Sequence, residues 1–332
     1  MTRYFYAAAH EQFSPRELLT HAVAAEQAGF DGLASSDHYQ PWWVPGESGH
    51  AWVWLGAAAQ ATRRISVGTG VTAPVHRYHP AVVAQAFATL EQMFPGRAFL
   101  GIGSGESLNE SPVGLDWPGT DEQLERMSEA LELIDRLFEG ERVDHDGRFF
   151  RTKGAFLHTR GQRRPPIYVS AFGPEAARIA GRFGDGLWTM GDPEMAPEVI
   201  EAYRASAEDN GREPGEILLH TGFSWAEDQD RALETSRVWK AAAVDEVFTD
   251  DWHDPEAMHE HAERAVEDDE YRESFIVSAD LGEHAERIRQ IEELGATTVV
   301  LMNVSGADPQ AAIDAYGKQV LPVLRSGERV AA

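Results

Sequence analysis

The chain has 332 residues, of which 42% are hydrophobic and 25% charged, and its 55 acidic and 29 basic side chains give a formal net charge of −26. Phosphate binding needs clustered cations, and the only lysines are Lys153, Lys240 and Lys318, so neither nucleic acid nor an anionic membrane surface is expected as a partner. The absence of cysteine excludes disulfides and thiolate sites, and the lack of a long apolar run or a signal-peptide pattern predicts a soluble, cytoplasmic protein.

Short apolar segments alternate with amphipathic ones along the chain. In the first helical segment Ser14 can cap, Pro15 suits the first turn, Glu17 completes a capping box, and Gly29 ends the apolar stripe. We expect strands at residues 3–9, 30–36, 64–71, 97–105, 166–172, 186–190, 216–225 and 297–304. We expect helices at residues 14–29, 50–62, 80–94, 122–140, 174–184, 195–210, 283–296 and 309–325.

This alternation predicts an α/β fold of the (β/α)₈ barrel type. Short buried strands that alternate with helices are typical of a parallel sheet, and eight repeats favour a closed barrel over an open doubly wound sheet. We expect one domain over residues 1–332, interrupted by insertions near 140–165 and 226–285. The first insertion should contain a hairpin that turns at Asp146-Gly147, and the second, which is helix-rich and acidic, a possible short strand at 274–279.

The unusual polar and aromatic residues of the chain follow the predicted strands. In a barrel of this type the loops after the carboxyl ends of the strands build the active site, so these residues should gather on one face. From the first strand to the fifth they are His10, Glu11 and Gln12; Asp37, His38, Gln40, Trp42 and Trp43; Gly70, Val71 and Thr72; Ser104, Gly105, Glu106 and Asn109; and Ser170, Phe172 and Gly173.

These residue types suggest proton transfer beside a flat ring. His38 titrates near neutral pH and is the natural general base, with Glu106 as a second proton donor or acceptor. Trp42 offers a flat face for stacking, and the helix that follows Gly173 can hold a phosphate through backbone amides. Asp37 precedes His38, and sequence neighbours usually point apart, so it can bind a ligand rather than orient the imidazole.

Structural explanations compete with each of these assignments. A single histidine after a strand is more often structural than catalytic, and the glycines of "GIGSG" do not make the six-residue dinucleotide fingerprint. The cluster of His253, His259 and His261 lacks a helical i, i+4 pair, so we expect no metal site there.

Four segments together resemble a known family. The stretches "SSDHYQPW", "GTGVTAPVHRYHPAVVAQAFATL", "FLGIGSGESLNE" and "AGRFGDGLWT" are similar, in this order, to luciferase-like oxidoreductases that use the deazaflavin coenzyme F420. Within them the match is closest to the subgroup that contains the F420-dependent glucose-6-phosphate dehydrogenases. The similarity is strong over residues 1–190 and weak over 190–285.

The resemblance implies a homodimeric barrel that transfers a hydride between a carbinol carbon and C5 of the deazaflavin. By position, His38 corresponds to the base, Trp42 to a tryptophan that stabilises the transition state, Glu106 to the acid that serves a ring nitrogen of coenzyme F420, and Glu11 to a glutamate near the substrate. Coenzyme contacts are implied for Asp37, Val71, Ser104, Asn109, Ala171, Phe172 and Gly173. A non-prolyl cis peptide behind the ring is implied for Gly70 and Val71.

The sequence departs from the sugar-phosphate enzymes where they bind phosphate. Asp192 and Glu260 align with family lysines, and Ser274 falls near the expected arginine. Carboxylates there would repel a dianion, so glucose-6-phosphate should be a poor substrate. We expect an uncharged or cationic alcohol or sugar, or a carbonyl compound reduced in the reverse direction. Trp43, Trp52 and Trp54 suggest a more apolar mouth.

Two other functions are also compatible with the sequence. One is an FMN-dependent monooxygenase on the same barrel, which would bind a related ring. The other is a protein that binds F420 without catalysis, in which His38 would have no chemical role.

Overall fold

The computed structural model describes residues 1–244 and 246–327, and eight parallel strands in it close into a barrel. The barrel strands are β1 (Arg3–Ala8), β2 (Gly32–Ser35), β3 (Ser66–Thr69), β4 (Ala98–Ile102), β5 (Ile167–Ser170), β6 (Gly186–Met190), β7 (Glu216–Trp225) and β8 (Thr298–Asn303). Each strand pairs with the next in chain order, and β8 returns to pair with β1. The predicted (β/α)₈ fold class is confirmed.

Helices cover the outside of the barrel and fill the longer connections. The α-helices are Pro15–Ala28, Ala51–Ala61, Pro80–Met93, Ser107–Glu110, Thr120–Phe138, Pro174–Phe183, Ala196–Asp209, Gln229–Glu234, Glu246–Thr249, Pro255–Ala265, Asp268–Ser274, Leu281–Glu293, Pro309–Ala315 and Leu321–Ser326. Short 3₁₀ helices span Ser111–Val113 and Arg237–Ala243. Within the described ranges, no helix is both long and apolar enough to cross a membrane.

Strand β7 is longer than its neighbours and extends past the barrel rim. Its first half pairs with β6 from Glu216 to His220, and its last three residues pair with the short strand Ile276–Ser278. The strand thus leads directly into the helical segment 226–285, which is placed above the carboxyl ends of the other strands.

The inside of the barrel is filled mainly by large side chains. Phe5, Phe99, Tyr168 and Trp188 are buried there together with smaller aliphatic residues. Glycine on neighbouring strands leaves the necessary space, because a Cβ atom at Gly68 would lie 2.3 Å from the carbonyl oxygen of Phe99.

Two local expectations are wrong in detail. The hairpin strands are Val143–Asp146 and Arg151–Ala155, so four residues rather than two connect them. The wider turn forms because the Glu129 carboxylate accepts hydrogen bonds from the amides of Phe149 and Phe150. The last predicted helix is divided by a π-helical segment, Tyr316–Val320. The capping box of Ser14 and Glu17 is present as expected.

The substitution Gly68→Ala should destabilise the barrel. The new methyl group would overlap the Phe99 backbone and ring, and overpacking of this kind typically costs ~1–3 kcal/mol. Chemical denaturation should therefore show a free energy of unfolding lower by about 2 kcal/mol.

Gly56→Ala is the matched control, because nothing lies within 4 Å of the added Cβ and the residue is inside a helix. This variant should be as stable as the wild type or slightly more stable. Equal stability of both variants would contradict the described packing.

Candidate active site

The carboxyl ends of the barrel strands open into a cleft of about 1190 Å³. Of the twelve residues to which the resemblance gives a role, nine line it, namely Asp37, His38, Val71, Ser104, Glu106, Asn109, Ala171, Phe172 and Gly173. The other three lie behind this lining: Glu11 contacts His38 from below, Trp42 lies beside His38, and Gly70 lies over Trp188. The fold therefore brings the candidates from five separate strand ends to one place.

His38 lies between two carboxylates from different strand ends. Its Nδ1 is 2.7 Å from Oε1 of Glu11, and its Nε2 is 3.6 Å from Oε2 of Glu106. The Glu11 side chain is only 1% exposed, whereas those of His38 and Glu106 are 16% and 22% exposed. One side of the imidazole thus faces a fully buried acid, and the other faces an acid at the surface of the cleft.

Two groups compete for Nδ1 of His38. The indole Nε1 of Trp42 lies 3.0 Å from this nitrogen and can only donate, whereas the ionised Glu11 carboxylate can only accept. A hydrogen bond to a charged acceptor is about twice as strong as a neutral one, so Glu11 should keep a proton on Nδ1. Nε2 is then the nitrogen that exchanges a proton with a molecule in the cleft.

The charge of His38 follows from this arrangement. Burial by itself would lower the pKa of the imidazole, but the carboxylates of Glu106 and Glu11 outweigh it and raise the pKa to about 9. Burial also opposes ionisation of Glu11, but the positive charge of His38 lowers its pKa below the ordinary value. At neutral pH the pair is therefore an imidazolium ion beside a carboxylate.

Two other imidazoles near the centre behave differently. Burial lowers the pKa of His10 to about 4 and that of His220 to about 4, because neither has a carboxylate close enough to compensate. Both stay neutral at physiological pH. Of these three imidazoles, His38 is the one that changes charge between pH 7 and pH 10.

Glu106 is placed by the turn that follows β4. Gly105 adopts a left-handed conformation with φ of 89°, which favours glycine, and Glu106 then begins the helix Ser107–Glu110. The side-chain amide of Asn109 donates to the Glu106 carboxylate over 3.3 Å. Burial raises the pKa of Glu106 above its ordinary value, which suits a proton donor.

Asp37 is hydrogen-bonded to other residues of the protein. Its carboxylate accepts hydrogen bonds from Thr72 at 2.6 Å and Tyr78 at 3.3 Å, and its carbonyl oxygen accepts one from Arg77 at 2.6 Å. These bonds join the loop after β2 to the segment after β3. Asp37 therefore fixes the position of His38, and its contact with a coenzyme stays a prediction.

The loops after β3, β4 and β5 have the features that a flat ring with a phosphate tail requires. The peptide bond between Gly70 and Val71 is cis, as the resemblance implied, and Val71 lines the cleft together with Ser104. Beside them, Ala171, Phe172 and Gly173 lead into the helix Pro174–Phe183, whose N-terminus has no side-chain cap. The first amides of this helix remain available for an anion.

The aromatic residues expected at the mouth are not there. Trp43 packs against Trp239, Trp54 donates its indole N–H to the Pro15 carbonyl, and Trp52 stacks on Tyr78. The apolar lining comes instead from Ala242, Ala243 and Phe248 of the segment 226–285. Sequence reasoning missed these residues because the pattern in that segment did not indicate how its backbone folds.

The residues expected at the substrate end are divided between two places. Asp192 and Ser274 line the cleft, but Glu260 lies on an exposed helix face, where it pairs with Arg264 over 3.6 Å. Glu260 projects from the outer side of Pro255–Ala265 and therefore cannot act on a ligand in the cleft. Thr249 and Glu273 line the cleft near Ser274 instead.

The histidines of the acidic segment have other partners. His253 pairs with Asp251 over 2.9 Å, and His261 stacks on Trp252. In the part of the chain that the structure describes, no group of three or more potential ligands converges in a way that could hold a metal ion.

Comparisons with known proteins give consistent results. A family model described as luciferase-like monooxygenase matches residues 2–298. The F420-dependent glucose-6-phosphate dehydrogenase of Beutenbergia cavernae is 42% identical and covers 99% of both chains. A protein of the same name from Mycolicibacterium smegmatis is 37% identical and covers 96% of this chain and 97% of its own.

A solved structure extends the comparison to geometry. An F420-dependent secondary alcohol dehydrogenase in complex with an F420–acetone adduct superposes with a TM-score of 0.94 at 34% identity, over 98% of this chain and 99% of that one. The coenzyme F420-dependent tetrahydromethanopterin reductase of Methanopyrus kandleri has a TM-score of 0.78 at 22% identity, covers 97% of this chain and 99% of its own, and supports the fold alone.

The pKa of His38 should respond to its buried partner. An NMR titration of the imidazole should give a pKa of about 9 in the wild type. In Glu11→Gln the value should fall toward the ordinary ~6.5, because the amide no longer favours the cation. Glu17→Gln, which changes an exposed glutamate that caps the first helix, is the control and should leave His38 unchanged.

The same shift predicts how stability depends on pH. The folded protein favours charged His38, so this contribution is complete below about pH 6.5 and is lost as the pH rises through about 9. A wild-type His38 that titrates near pH 6.5 would contradict the described ion pairs.

Proposed function

The chain belongs to the luciferase-like monooxygenase family, and we propose that it is an F420-dependent oxidoreductase that interconverts an alcohol and its carbonyl compound. The observation that carries this proposal is His38, which lies between Glu11 and Glu106 at the floor of an open cleft. A titrating imidazole with a buried orienting acid is suited to move the proton of a hydroxyl group. The identity of the coenzyme is inferred from the names of the similar proteins.

The cleft fits coenzyme F420 in size and in chemistry. Val71 and Ser104 would contact the ring system, and the uncapped amides after Gly173 would hold the phosphate without any lysine. When bound, F420 supplies a two-electron centre that accepts a hydride from a carbinol carbon or returns one to a carbonyl carbon. Glu106, whose pKa burial raises, can keep a proton available beside that ring.

His38 would transfer the other proton of the reaction. In alcohol oxidation, neutral Nε2 takes the hydroxyl proton while Glu11 holds the proton on Nδ1 and stabilises the imidazolium that forms. In carbonyl reduction, the imidazolium gives its Nε2 proton to the developing alkoxide. The raised pKa favours the cation at neutral pH, so the resting protein is prepared for reduction and must lose a proton before it oxidises an alcohol.

The substrate that the cleft favours is uncharged. Asp192 and Glu273 contribute carboxylates to its outer part, and Thr249 and Ser274 are neutral. Both arginines of the lining have protein partners: Arg77 donates to the Asp37 carbonyl, and Arg287 donates to the carbonyls of Arg272 and Glu273. A phosphate dianion would meet carboxylates and no lysine among the described lining residues.

Removal of the imidazole should stop turnover without loss of coenzyme. We expect His38→Ala to lower kcat/KM for alcohol oxidation ~10²–10⁴-fold, the usual effect of losing a general base. The Kd for F420 should change little. Wild-type kcat/KM for oxidation should rise with pH toward about 9, the pKa of His38, and the variant should lose this dependence.

The same binding measurements separate the competing functions. Affinity for FMN comparable to that for F420 would favour a flavin-dependent monooxygenase. Normal F420 binding by a wild-type protein that oxidises no alcohol, reduces no carbonyl compound and is unaffected by His38→Ala would point to a coenzyme-binding protein.

Phosphorylated sugars should be poor substrates. The wild type should turn over glucose-6-phosphate at least ~100-fold less efficiently than an uncharged secondary alcohol, because the lining carboxylates repel the dianion. The double variant Asp192→Lys with Ser274→Arg should improve kcat/KM for glucose-6-phosphate. The control variant Glu260→Lys, on the exposed helix face, should not. Efficient, saturable wild-type turnover of glucose-6-phosphate would overturn this assignment of the substrate.

A further inference from the structure

Phe248 occupies a position that the sequence did not suggest. It belongs to the short helix Glu246–Thr249, in the segment that follows β7. Its ring centroid is 5.3 Å from that of Trp42 and 5.6 Å from that of Phe172. Phe248 thus lies between the loop that carries His38 and the loop that leads to the helix Pro174–Phe183.

Phe248 packs against the hydrophobic core on one side and lines the cleft on the other. The preceding residue, Val247, is buried with 4% exposure and anchors the short helix, whereas Phe248 is half-buried and lines the cleft. Ala242, Ala243 and Thr249 lie on the same wall and leave space beside the ring. The cleft-facing surface of this ring is therefore available to cover a ligand.

We propose that Phe248 is a specificity-determining residue whose cleft-facing surface packs against the carbon skeleton of the substrate and selects small uncharged aliphatic alcohols or ketones. This inference rests on the proposed function, because it places the reacting carbon beside Nε2 of His38. Trp42 lies beside His38 and packs against Phe248, so an alkyl group that packs on the Phe248 ring keeps its oxygen near the imidazole. Short alkyl groups fit beside this ring, and bulky ones would displace it.

The wall that carries Phe248 is attached to the element that positions Glu106. Asp251 accepts hydrogen bonds from Ser107 and from Ser111, and it pairs with His253 over 2.9 Å. Gln40, from the loop that carries His38, donates to the His253 carbonyl over 2.9 Å. These contacts fix Phe248 relative to both proton-transfer residues, as a selective compartment requires.

The carboxylates of this wall disfavour an anionic substrate. Thr249 and Ser274 offer hydroxyl groups, and Glu273 and Asp192 offer carboxylates. A substrate with one hydroxyl or carbonyl oxygen needs only His38 as its polar partner, and the remaining atoms can be apolar.

The test compares a short and a bulky substrate in one variant. Phe248→Ala should lower kcat/KM for 2-propanol about tenfold, mainly through KM, because one lost apolar contact of this size is worth roughly that factor. Turnover of cyclohexanol should be retained or should increase, since the larger space admits the ring. The Kd for F420 should stay within about twofold, which also shows that the variant folds.

Phe149→Ala is the matched control. Phe149 lies on the hairpin outside the cleft, against Arg126, and its removal should leave both substrates unaffected. Phe248→Leu keeps an apolar side chain and should fall between the wild type and Phe248→Ala. An equal change for 2-propanol and cyclohexanol in Phe248→Ala, or no change for either, would overturn the proposal.

A second readout does not depend on turnover. The complex with oxidised F420 cannot reduce a ketone, so equilibrium binding of acetone and cyclohexanone to it measures the compartment alone. Phe248→Ala should weaken acetone relative to cyclohexanone. If the wild type turned over no alcohol, the proposed function would fail, while an unchanged binding ratio would still reject the role of Phe248 by itself.

Discussion

The site depends on one interaction, the contact of the His38 imidazole with a fully buried carboxylate from β1. The Glu11 side chain is only 1% exposed, and it determines which nitrogen of His38 carries a fixed proton. Glu106 then faces the other nitrogen from the end of β4. Because these side chains come from separate strands, the barrel must close correctly before either contact exists. The aromatic side chains and glycines inside the barrel therefore help to position the active-site residues as well as to stabilise the fold.

Much of this arrangement could be predicted from the sequence. Helix caps and alternating apolar segments indicated the barrel, and the rule that sites lie after the carboxyl ends of strands placed His38 near Glu106. The direction of side chains could not be predicted in the same way. The resemblance implied that Glu11 lies near the substrate, but not that it contacts Nδ1 of His38. Trp43 and Trp54 are buried because an indole packs in a core as readily as at the mouth of a cleft.

The segment 226–285 shows a different limit. Most of its helices are short, so periodicity did not indicate which of their residues face the cleft. Glu260 was aligned with a ligand-binding position although it lies on a solvated face, and Phe248 was not identified. The contacts that orient this wall are polar bonds to Ser107, Ser111 and Gln40, which are far away in the sequence. Pairings of this kind depend on tertiary structure and leave no local pattern.

The separation of these parts has a consequence for how such a protein diversifies. The groups that we propose to transfer protons belong to the first half of the barrel, and the wall that we propose to contact the carbon skeleton belongs to the segment 226–285 after β7. Replacement of a few side chains in this segment can change which molecule enters the cleft, while His38, Glu11 and Glu106 remain in place. Relatives with nearly the same backbone can therefore differ in substrate specificity before they differ in the reaction that they catalyse.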